Sequence, residues 1–417
     1  MKVLIINYRY FISGGPERYL FNVTKLLEEN GHQVIPFSIR SDRNKKNEYE
    51  KYFVNPIGGQ DVHYFHEGKK NIRYAIDTVA RLFYSCHVRN KLTELIENEQ
   101  PDVAYILHHY NKLSPSVISA CKSHGVRVVM RLSDFFLLCP QAHFLRNGVI
   151  CEDCHQRSLL SCVRNKCVKN SRIGSLLKAA ALYFHKNILK IYDDVDKFVC
   201  TTDFMKSKLI QDGVDVDRVN VIRTFTNNLG EEELDNTEGN YILYFGRFTY
   251  EKGVDILINA YYRSRLYDVG IRLMLVGGKL SDIKEVDAEI LNKIGSFITT
   301  YDFLPTEKLE PLIKGCLFTV VPSRWYENLP NTILESYRHS KPVISSDIGS
   351  LPEVVEHGLT GLLFRNENIS DLSENLKILA FDGNKRMQMR KDVIRKSAAY
   401  SQDMHYKSLI NILRGVI

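Results

Sequence analysis

The feature that most constrains the fold is the alternation of short apolar segments with helical patterns along almost the whole chain. The apolar segments show no polar alternation, as expected for strands that are buried on both faces. Such strands need helices on both sides of the sheet, which is the arrangement of a parallel sheet. The segments form two series, and each series predicts a doubly wound parallel α/β sheet. The predicted strands are Val3–Asn7, Gln33–Ile39, Val103–His108, Arg127–Leu132, Lys197–Thr201, Val219–Phe225, Tyr241–Phe245, Arg272–Val276, Phe297–Thr300, Phe318–Val321, Val343–Ser346 and Gly361–Phe364.

A polar and acidic segment separates the two series and predicts a linker between two domains. Residues 227–240 read NNLGEEELDNTEGN and are poor in large apolar side chains. We predict a Rossmann-like first domain over residues 1–228, a linker over 229–240 and a Rossmann-like second domain over 241–395. Residues 396–417 are expected to form a helix that packs back onto the first domain. Ligands of open α/β sheets bind at the carboxyl ends of the strands, so we expect the site in a central cleft between the domains.

The composition is that of an ordinary globular protein and excludes several classes. The chain has 417 residues, of which 44% are hydrophobic and 25% are charged. These values exclude a disordered chain, a collagen-like repeat and a small disulfide scaffold. No stretch approaches the roughly 18 consecutive apolar residues of a membrane span. The N-terminus lacks the apolar core and cleavage site of a secretory signal, so a cytoplasmic location is expected.

One segment of the first domain is strongly basic. Residues 155–192 contain eight lysines and arginines and no acidic residue. They include an amphipathic helix predicted over 175–192, whose broad apolar stripe contains Leu176, Leu177 and Tyr183. The stripe is compatible with packing on the first sheet, but the charge favours peripheral docking on the anionic inner face of the cell membrane. Nucleic acid is not an expected partner, because the segment lacks the aromatic side chains of a base-stacking platform.

Five of the nine cysteines lie between residues 139 and 167. Four of them have the spacing C-x2-C-x7-C-x4-C, which gives the ligand count and the short pairs of a structural zinc site. An iron–sulfur cluster would use the same ligands, and reduced thiols without a metal are the simpler alternative. A metal here would hold the insertion before the basic helix and would take no part in catalysis. The four cysteines are Cys151, Cys154, Cys162 and Cys167.

Gly14 and Gly15 follow the first predicted strand. Paired glycines allow the backbone to approach a ligand without interference from a Cβ atom. The helix that starts near Pro16 directs free amide groups at the same place, which suits a phosphate. A plain strand-to-helix turn would have the same sequence. The G-x-G-x-x-G fingerprint of dinucleotide-binding proteins is absent, which argues against a nicotinamide-dependent oxidoreductase.

Arg247 and Lys252 follow the first strand of the second series, where the expected cleft opens. A guanidinium group and an ammonium group together suit the neutralisation of a diphosphate leaving group. Two solvated surface cations are the alternative interpretation. Their position at the carboxyl end of a strand favours the binding role.

Two glutamates flank a predicted helix start at Pro330. Glu327 precedes the helix and is placed to contact a sugar near the phosphates, whereas Glu335 is placed to accept hydrogen bonds from ribose hydroxyls. The backbone amides of Asn328 and Leu329, together with the amide of the residue after Pro330, form a predicted anion-binding site. Glutamates on a helix are often only solvated. Their position opposite two cations favours a site.

Together, the Gly14–Gly15 pair, Arg247 with Lys252, and Glu327 with Glu335 resemble the retaining glycosyltransferases of family 4, which have the GT-B fold. The segment VVPSRWYENLPNTILESYRHSKPVISSDIGSLPEVVE, residues 320–356, is especially similar. The resemblance implies two Rossmann-like domains around a central cleft. It also implies a nucleotide diphosphate-sugar donor, either a UDP-sugar or a GDP-sugar, and a glycan or polyprenyl-linked acceptor in capsular or O-antigen polysaccharide biosynthesis.

The resemblance also assigns roles to the motif residues. It places Glu327 by the donor sugar, Glu335 on the ribose, and Arg247 with Lys252 on the diphosphate. Because these cations and the helix N-termini neutralise the leaving group, no catalytic metal is expected. The glycine loop approaches the diphosphate from the first domain.

One position departs from the family pattern. Relatives often carry His-Asp after the fourth strand, whereas this chain has Ser133 followed by Asp134. Only Asp134 therefore takes over a predicted role near the transferred sugar. His108, His109 and His143 are candidates to replace the missing histidine, and each has a purely structural alternative.

Two other functions fit parts of the sequence. A nucleotide-sugar 2-epimerase of the same fold would need acidic and histidine side chains in the cleft and no basic membrane face. A non-catalytic nucleotide-binding subunit would keep the donor site and lack turnover, which the replacement at Ser133 makes conceivable. The spacing of the two glutamates and the uneven charge favour transfer.

Overall fold

The computed structural model describes residues 1–59, 72–226, 238–283 and 285–417. Its core consists of two six-stranded sheets whose neighbouring strands all pair in parallel. Each predicted strand overlaps one of these strands. A short antiparallel hairpin follows the fourth strand. The strands are β1 (Lys2–Asn7), β2 (Gln33–Phe37), β3 (Val103–His108), β4 (Arg127–Leu132), β5 (Leu145–Arg146), β6 (Val149–Ile150), β7 (Lys197–Cys200), β8 (Val219–Val221), β9 (Tyr241–Phe245), β10 (Arg272–Val276), β11 (Ile298–Tyr301), β12 (Thr319–Val321), β13 (Val343–Asp347) and β14 (Gly361–Arg365).

The order of the first sheet is β2-β1-β3-β4-β7-β8, and that of the second is β11-β10-β9-β12-β13-β14. Helices cover both faces of each sheet, and this burial explains why the strands lack polar alternation. The α-helices are α1 (Gly15–Glu29), α2 (Ile72–Phe83), α3 (Cys86–Glu99), α4 (Ser116–Ser123), α5 (Asp153–Gln156), α6 (Leu160–Arg164), α7 (Arg172–Tyr183), α8 (Asp203–Gln211), α9 (Val254–Ser264), α10 (Ala288–Ile294), α11 (Thr306–Gly315), α12 (Asn331–Arg338), α13 (Leu351–Val354), α14 (Ile369–Phe381), α15 (Gly383–Ser397) and α16 (Gln402–Val416).

The last helix of the chain, α16, packs against the first sheet and its helix α1. Its Leu409 and Leu413 are buried in the same apolar cluster as strand residues of the first domain. His405 of α16 hydrogen-bonds the Tyr19 hydroxyl at 3.1 Å. Most of the predicted linker, residues 229–240, lies outside the described residues, which resume at position 238.

The structure shows which side of the basic helix packs against the protein. Helix α7 and the π-helical turn that extends it to Ile188 leave Leu176, Leu177 and Tyr183 exposed. Small residues form the inner face instead. Ser175 accepts a hydrogen bond from the Val168 amide at 3.0 Å and packs against the cysteine insertion. Of the two interpretations, packing of the stripe on the first sheet does not hold for these three side chains, because small side chains allow the closer approach on the opposite face.

Contacts between the two domains hold the cleft in place. The Glu353 carboxylate of the second domain accepts hydrogen bonds from the amides of Asp203, at 2.7 Å, and Phe204. These two amides are at the N-terminus of helix α8, so the carboxylate lies at the positive end of the helix dipole. Next to this contact, the Tyr326 ring packs on Phe204, and its hydroxyl donates to Glu152 Oε1 of the insertion at 2.8 Å.

Gly253 separates Lys252 from helix α9 and has a left-handed backbone with φ of +67°. A Cβ atom at this position would lie 1.9 Å from the Pro322 carbonyl oxygen. Only glycine meets both conditions without a shift of the backbone. The position of the Lys252 side chain in the cleft therefore depends on this glycine.

We predict that Gly253→Ala lowers the free energy of unfolding by at least about 2 kcal/mol, because it adds a clash to an unfavourable backbone conformation. Gly358→Ala is the matched control in the same domain, since Gly358 has φ of +83° and nothing within 4 Å of the added Cβ. Its cost is the conformational term alone, about 1 kcal/mol. Calorimetric unfolding of both variants measures the difference, and equal losses would contradict the steric argument.

Candidate functional site

A cavity of about 660 Å³ lies between the two domains at the carboxyl ends of their strands. Gly14 and Gly15 line it from the first domain, and Arg247 and Glu335 line it from the second. The sequence predicted all four of these residues. The other predicted site residues do not line this cavity.

Glu327 is buried and is the acceptor of three hydrogen bonds at one oxygen. Lys252 Nζ donates to Glu327 Oε1 at 2.6 Å, Ser323 Oγ at 2.7 Å and Trp325 Nε1 at 2.8 Å. Burial alone would raise the pKa of Glu327, but Lys252 and these hydrogen bonds outweigh burial and lower the pKa. The carboxylate is therefore charged and held in one orientation.

The two predicted diphosphate-binding cations differ in their surroundings. Lys252 is half-buried, pairs with Glu327 and lies over the Trp325 ring at 5.4 Å from its centroid. The Arg247 side chain is 70% exposed and lies 3.7 Å from Glu251 in a weak surface pair. An exposed guanidinium group is free to turn toward a ligand in the cavity, whereas Lys252 is already oriented by the carboxylate.

Helix α12 begins at Asn331, directly after Pro330, as the sequence predicted. The first amides of a helix have no partner inside the helix, so this end provides hydrogen-bond donors. The glycine loop of the first domain approaches the same end. A Cβ atom on Gly15 would lie 2.7 Å from the Asn331 side-chain nitrogen. A side chain at position 15 would therefore require the Asn331 side chain to move away from this contact between the domains.

The Asn328 side chain joins the two domains rather than facing the cavity. Its Nδ2 donates to the Leu132 carbonyl oxygen at 3.3 Å, and its Oδ1 accepts a hydrogen bond from Thr201. Both partners lie at the carboxyl ends of first-domain strands, β4 and β7. The predicted amide contribution of Asn328 and Leu329 concerns their backbone groups, which lie in the loop just before α12.

Sequence reasoning missed Arg18. Its Nη1 donates to Glu335 Oε1 at 3.3 Å across the cleft, and both residues line the cavity. Burial raises the pKa of Glu335, and Arg18 acts against that shift. The available signal was the position of Arg18, one turn into the helix that follows the glycine pair.

Asp134 lies at the carboxyl end of β4 in a polar cluster of the first domain. The Tyr110 hydroxyl and the Phe136 amide donate to it, and His108 Nε2 lies 3.4 Å from Oδ2. Burial would raise the pKa of Asp134, but the contacts with His108 and Tyr110 lower it. A histidine is therefore present beside this carboxylate, although it comes from β3 and not from the position of Ser133.

The two other candidate histidines have different environments. His109 is fully buried, and burial lowers its pKa to about 3. It therefore stays neutral and structural. The His143 ring packs at a tilt against Trp325, with ring centroids 5.3 Å apart, and so contacts the loop that carries Glu327. Burial also lowers the pKa of His143.

The cysteine insertion lies against the loop of Glu327 through the Glu152–Tyr326 hydrogen bond. The thiols of Cys154, Cys162 and Cys167 neighbour one another, and a hydrogen bond from Cys154 lowers the pKa of Cys162. Among the residues that the structure describes, no group of three or more His, Cys, Asp or Glu side chains is arranged to hold a metal ion. The zinc site at Cys151, Cys154, Cys162 and Cys167 stays a prediction from spacing.

Comparison with known proteins gives the following relatives. An uncharacterised glycosyltransferase of Methanocaldococcus jannaschii is 31% identical over 224 residues, covering 53% of this chain and 59% of the relative. An N,N'-diacetylbacillosaminyl-diphospho-undecaprenol α-1,3-N-acetylgalactosaminyltransferase of Campylobacter jejuni is 24% identical, covering 42% of this chain and 45% of the relative. The chain thus matches only about half the length of these curated relatives.

The fold is shared with solved structures along the whole chain. The Anabaena protein HepE in complex with UDP superposes with a TM-score of 0.65 at 15% identity, covering 100% of both chains. Such neighbours are GT-B glycosyltransferases, and the two parallel-sheet domains described above have that architecture. The predicted fold class is therefore confirmed.

Two family models together span most of the chain. Residues 226–396 match the model described as Glycosyl transferases group 1. Residues 13–227, more than half of the chain, match the model described as Glycosyltransferase Family 4. The predicted resemblance is confirmed, and this chain belongs to glycosyltransferase family 4.

Proposed function

We propose that this protein is a retaining hexosyltransferase that moves a sugar from a nucleotide diphosphate-sugar to a glycan acceptor. The observation that carries the proposal is the Lys252–Glu327 pair beside a cavity shared by both domains. The cations at strand ends suit stabilisation of a departing diphosphate, and the charged, oriented carboxylate suits stabilisation of positive charge on the reacting sugar. Membership of the family supports the same reaction.

The proposed donor is a UDP-sugar or a GDP-sugar held across the cleft. Glu335 lies in the cavity wall, where its carboxylate accepts hydrogen bonds from ribose hydroxyls. Arg247, Lys252 and the first amides of α12 bind the diphosphate, with the Gly15 backbone facing them. Lys252 then exchanges part of its contact with Glu327 for a phosphate oxygen. The UDP complex of the Anabaena neighbour supports a nucleotide in this fold.

The proposed chemistry is transfer with retention of the anomeric configuration. The bond between the anomeric carbon and the diphosphate oxygen breaks, and an acceptor hydroxyl forms its new bond from the same face. The hydroxyl proton passes to a phosphate oxygen of the leaving group. Because Arg247, Lys252 and the α12 N-terminus neutralise the developing charge, the step requires no catalytic metal. Glu327 positions the donor sugar and stabilises the positive charge that develops on it. Asp134 orients the acceptor.

The proposed acceptor is a glycan on a polyprenyl carrier, an intermediate of surface polysaccharide biosynthesis. The name of the Campylobacter jejuni relative describes a sugar transferred to an undecaprenol-linked acceptor, which supports this choice. A carrier of that kind remains in the bilayer, so the enzyme must work at a membrane surface. We therefore also propose that the protein binds peripherally to the inner face of the cell membrane.

An exposed apolar surface of the first domain supports membrane binding. Ile173, Leu176 and Ile188 of α7 and its extension are 73%, 52% and 62% exposed. Helix α2 packs beside them, with the Phe83 carbonyl bonded to His185, and exposes Ile72 and Ile76. Basic residues lie in the same segment as these apolar side chains, and binding to anionic lipids requires such residues. Within the described part of the chain, no helix combines the length and apolar character needed to cross a bilayer.

We predict that Glu327→Gln reduces the release of nucleoside diphosphate from the donor sugar by about 10²–10³-fold. The amide keeps hydrogen bonds with Ser323 and Trp325 but removes the charge that faces the reacting sugar. Release is measured with UDP- and GDP-sugars, with water as the acceptor when no glycan is added. Glu374→Gln, an exposed position on α14, is the control and should retain the wild-type rate.

Unchanged release by Glu327→Gln would reject the role of this carboxylate. If the wild-type protein binds the nucleotide but does not cleave it from a donor sugar, the protein is instead a non-catalytic binding subunit. Circular dichroism establishes that each variant is folded before rates are compared.

A thermal-shift titration tests the donor site directly. We predict that UDP or GDP raises the melting temperature without added metal, because a ligand of the folded state stabilises by mass action, about 2.7 kcal/mol at 100 times Kd. Glu335→Ala should reduce the shift, since ribose contacts are lost. No shift with either nucleotide in folded protein would contradict the donor site.

Vesicle binding tests the proposed membrane surface. We predict that the double variant Ile173→Gln/Leu176→Gln lowers affinity for phosphatidylglycerol vesicles by about tenfold or more, since each buried aliphatic side chain contributes roughly 1.5–3 kcal/mol. Co-sedimentation measures the bound fraction. Phe381→Gln, on an exposed apolar residue of the second domain, is the control and should bind normally. Equal binding by the double variant and the wild type would place the membrane contact elsewhere.

A further inference from the structure

An ion pair crosses the cleft inside the cavity that both domains line. Arg18 belongs to helix α1 of the first domain, and Glu335 belongs to helix α12 of the second. The Arg18 Nη1 atom lies 3.3 Å from Glu335 Oε1, and both side chains line the cavity. Glu335 is also the carboxylate proposed to bind the ribose of the donor. A cation of the first domain therefore contacts the group that the nucleotide needs.

The N-termini of α1 and α12 are in contact beside this pair. A Cβ atom on Gly15 would lie 2.7 Å from the Asn331 side-chain nitrogen. About one helical turn further along both helices, roughly 5 Å, Arg18 meets Glu335. The diphosphate is proposed to lie between the Gly15 backbone and the first amides of α12. Arg18 is therefore about one turn away from the phosphates of a bound nucleotide.

The Arg18–Glu335 pair is suited to exchange of partners. The two side chains are 42% and 30% exposed, and such a pair is weak because water solvates both groups. Among the residues that the structure describes, Arg18 is the one hydrogen-bond donor to the Glu335 carboxylate. Glu327, by contrast, accepts three short hydrogen bonds at one oxygen. A ribose can therefore displace Arg18 from Glu335 at little cost.

Other contacts hold the two domains together. Glu353 of the second domain accepts hydrogen bonds from the first amides of helix α8. Asn328 joins the ends of two strands of the first sheet. The contact between the domains does not rest on Arg18 alone, so its side chain can leave Glu335 while the domains stay together.

The other cations of the cavity wall do not replace Arg18. Arg338 lies on the same helix as Glu335 but donates to Glu310 at 2.8 Å. Arg247 belongs to the second domain. Among the described first-domain residues that line the cavity, Arg18 is the only charged one. It is therefore the side chain through which the first domain can place a charge on the nucleotide.

We propose that Arg18 selects nucleoside diphosphates by exchanging partners: it leaves Glu335 when the ribose binds there, and it then binds the phosphates. This inference rests on the proposed function, because it adds a residue to the proposed donor site. A nucleoside displaces Arg18 but offers the guanidinium group no new partner. A nucleoside diphosphate supplies that partner, since a guanidinium group binds phosphate oxygens with two parallel hydrogen bonds.

The binding of nucleosides and of nucleoside diphosphates to Arg18→Met tests this exchange. Isothermal titration calorimetry measures UDP and GDP, and ligand-observed NMR titration measures uridine and guanosine. Affinity for the diphosphate should fall about tenfold or more, because charge-assisted contacts are lost. Affinity for the matching nucleoside should stay equal or rise by up to about fivefold, because no cation competes for Glu335.

Lys25→Met is the matched control for the loss of one positive charge. Lys25 lies on the same helix as Arg18, is 71% exposed and pairs with Glu29. This variant should keep both wild-type affinities. Arg18→Lys retains the charge without the planar fork and should recover part of the diphosphate affinity. The melting temperature of Arg18→Met should equal that of the wild type, since a partly exposed pair adds little stability.

Three results would overturn the exchange. Equal losses of nucleoside and diphosphate affinity in Arg18→Met would assign Arg18 a structural role in the cavity wall. Unchanged affinities for both ligands would show that Arg18 does not act on the nucleotide. Stronger binding of both would leave Arg18 as a competitor that never contacts the phosphates.

The proposed function is tested separately, by cleavage of a donor sugar. If the wild-type protein shows the expected binding pattern but does not cleave a nucleotide sugar, the proposed function fails and the exchange at Arg18 stands. If the wild-type protein cleaves the donor and Arg18→Met binds both ligands normally, the exchange fails and the proposed function stands.

Discussion

The ion pair between Lys252 and the buried Glu327 is the interaction on which the rest of the cleft depends. A carboxylate shielded from water is stable only when opposite charge and hydrogen bonds replace hydration. Here the ammonium group, a hydroxyl and an indole meet one oxygen of Glu327. Lys252 can reach it because Gly253 lets the chain pass against Pro322. Glu327 of the pair lies in the loop after β12, and Tyr326 and Asn328 of that loop contact the first domain.

Because of those contacts, both domains are needed to form the cavity. Asn328 bonds to the ends of two strands in the first sheet, and Tyr326 bonds to the cysteine insertion. From the opposite side, Arg18 reaches Glu335. A ligand bound at Glu335 competes with Arg18, so occupancy of the site and the contact between domains are coupled. The cysteine insertion contacts the same loop. Its packing therefore helps to shape the site, with or without a bound metal.

The sequence revealed the parts of the molecule that local patterns determine. Unbroken apolar segments predicted the strands, and strand ends predicted the positions of Arg247, Lys252 and Glu327. Arg18 could not be predicted in this way, because its partner is more than 300 residues away and no local spacing encodes the contact. The apolar periodicity of α7 alone could not decide between its two interpretations, for a related reason. Amphipathic periodicity identifies an apolar stripe on a helix. It does not show whether that stripe packs against the protein or faces solvent or a membrane.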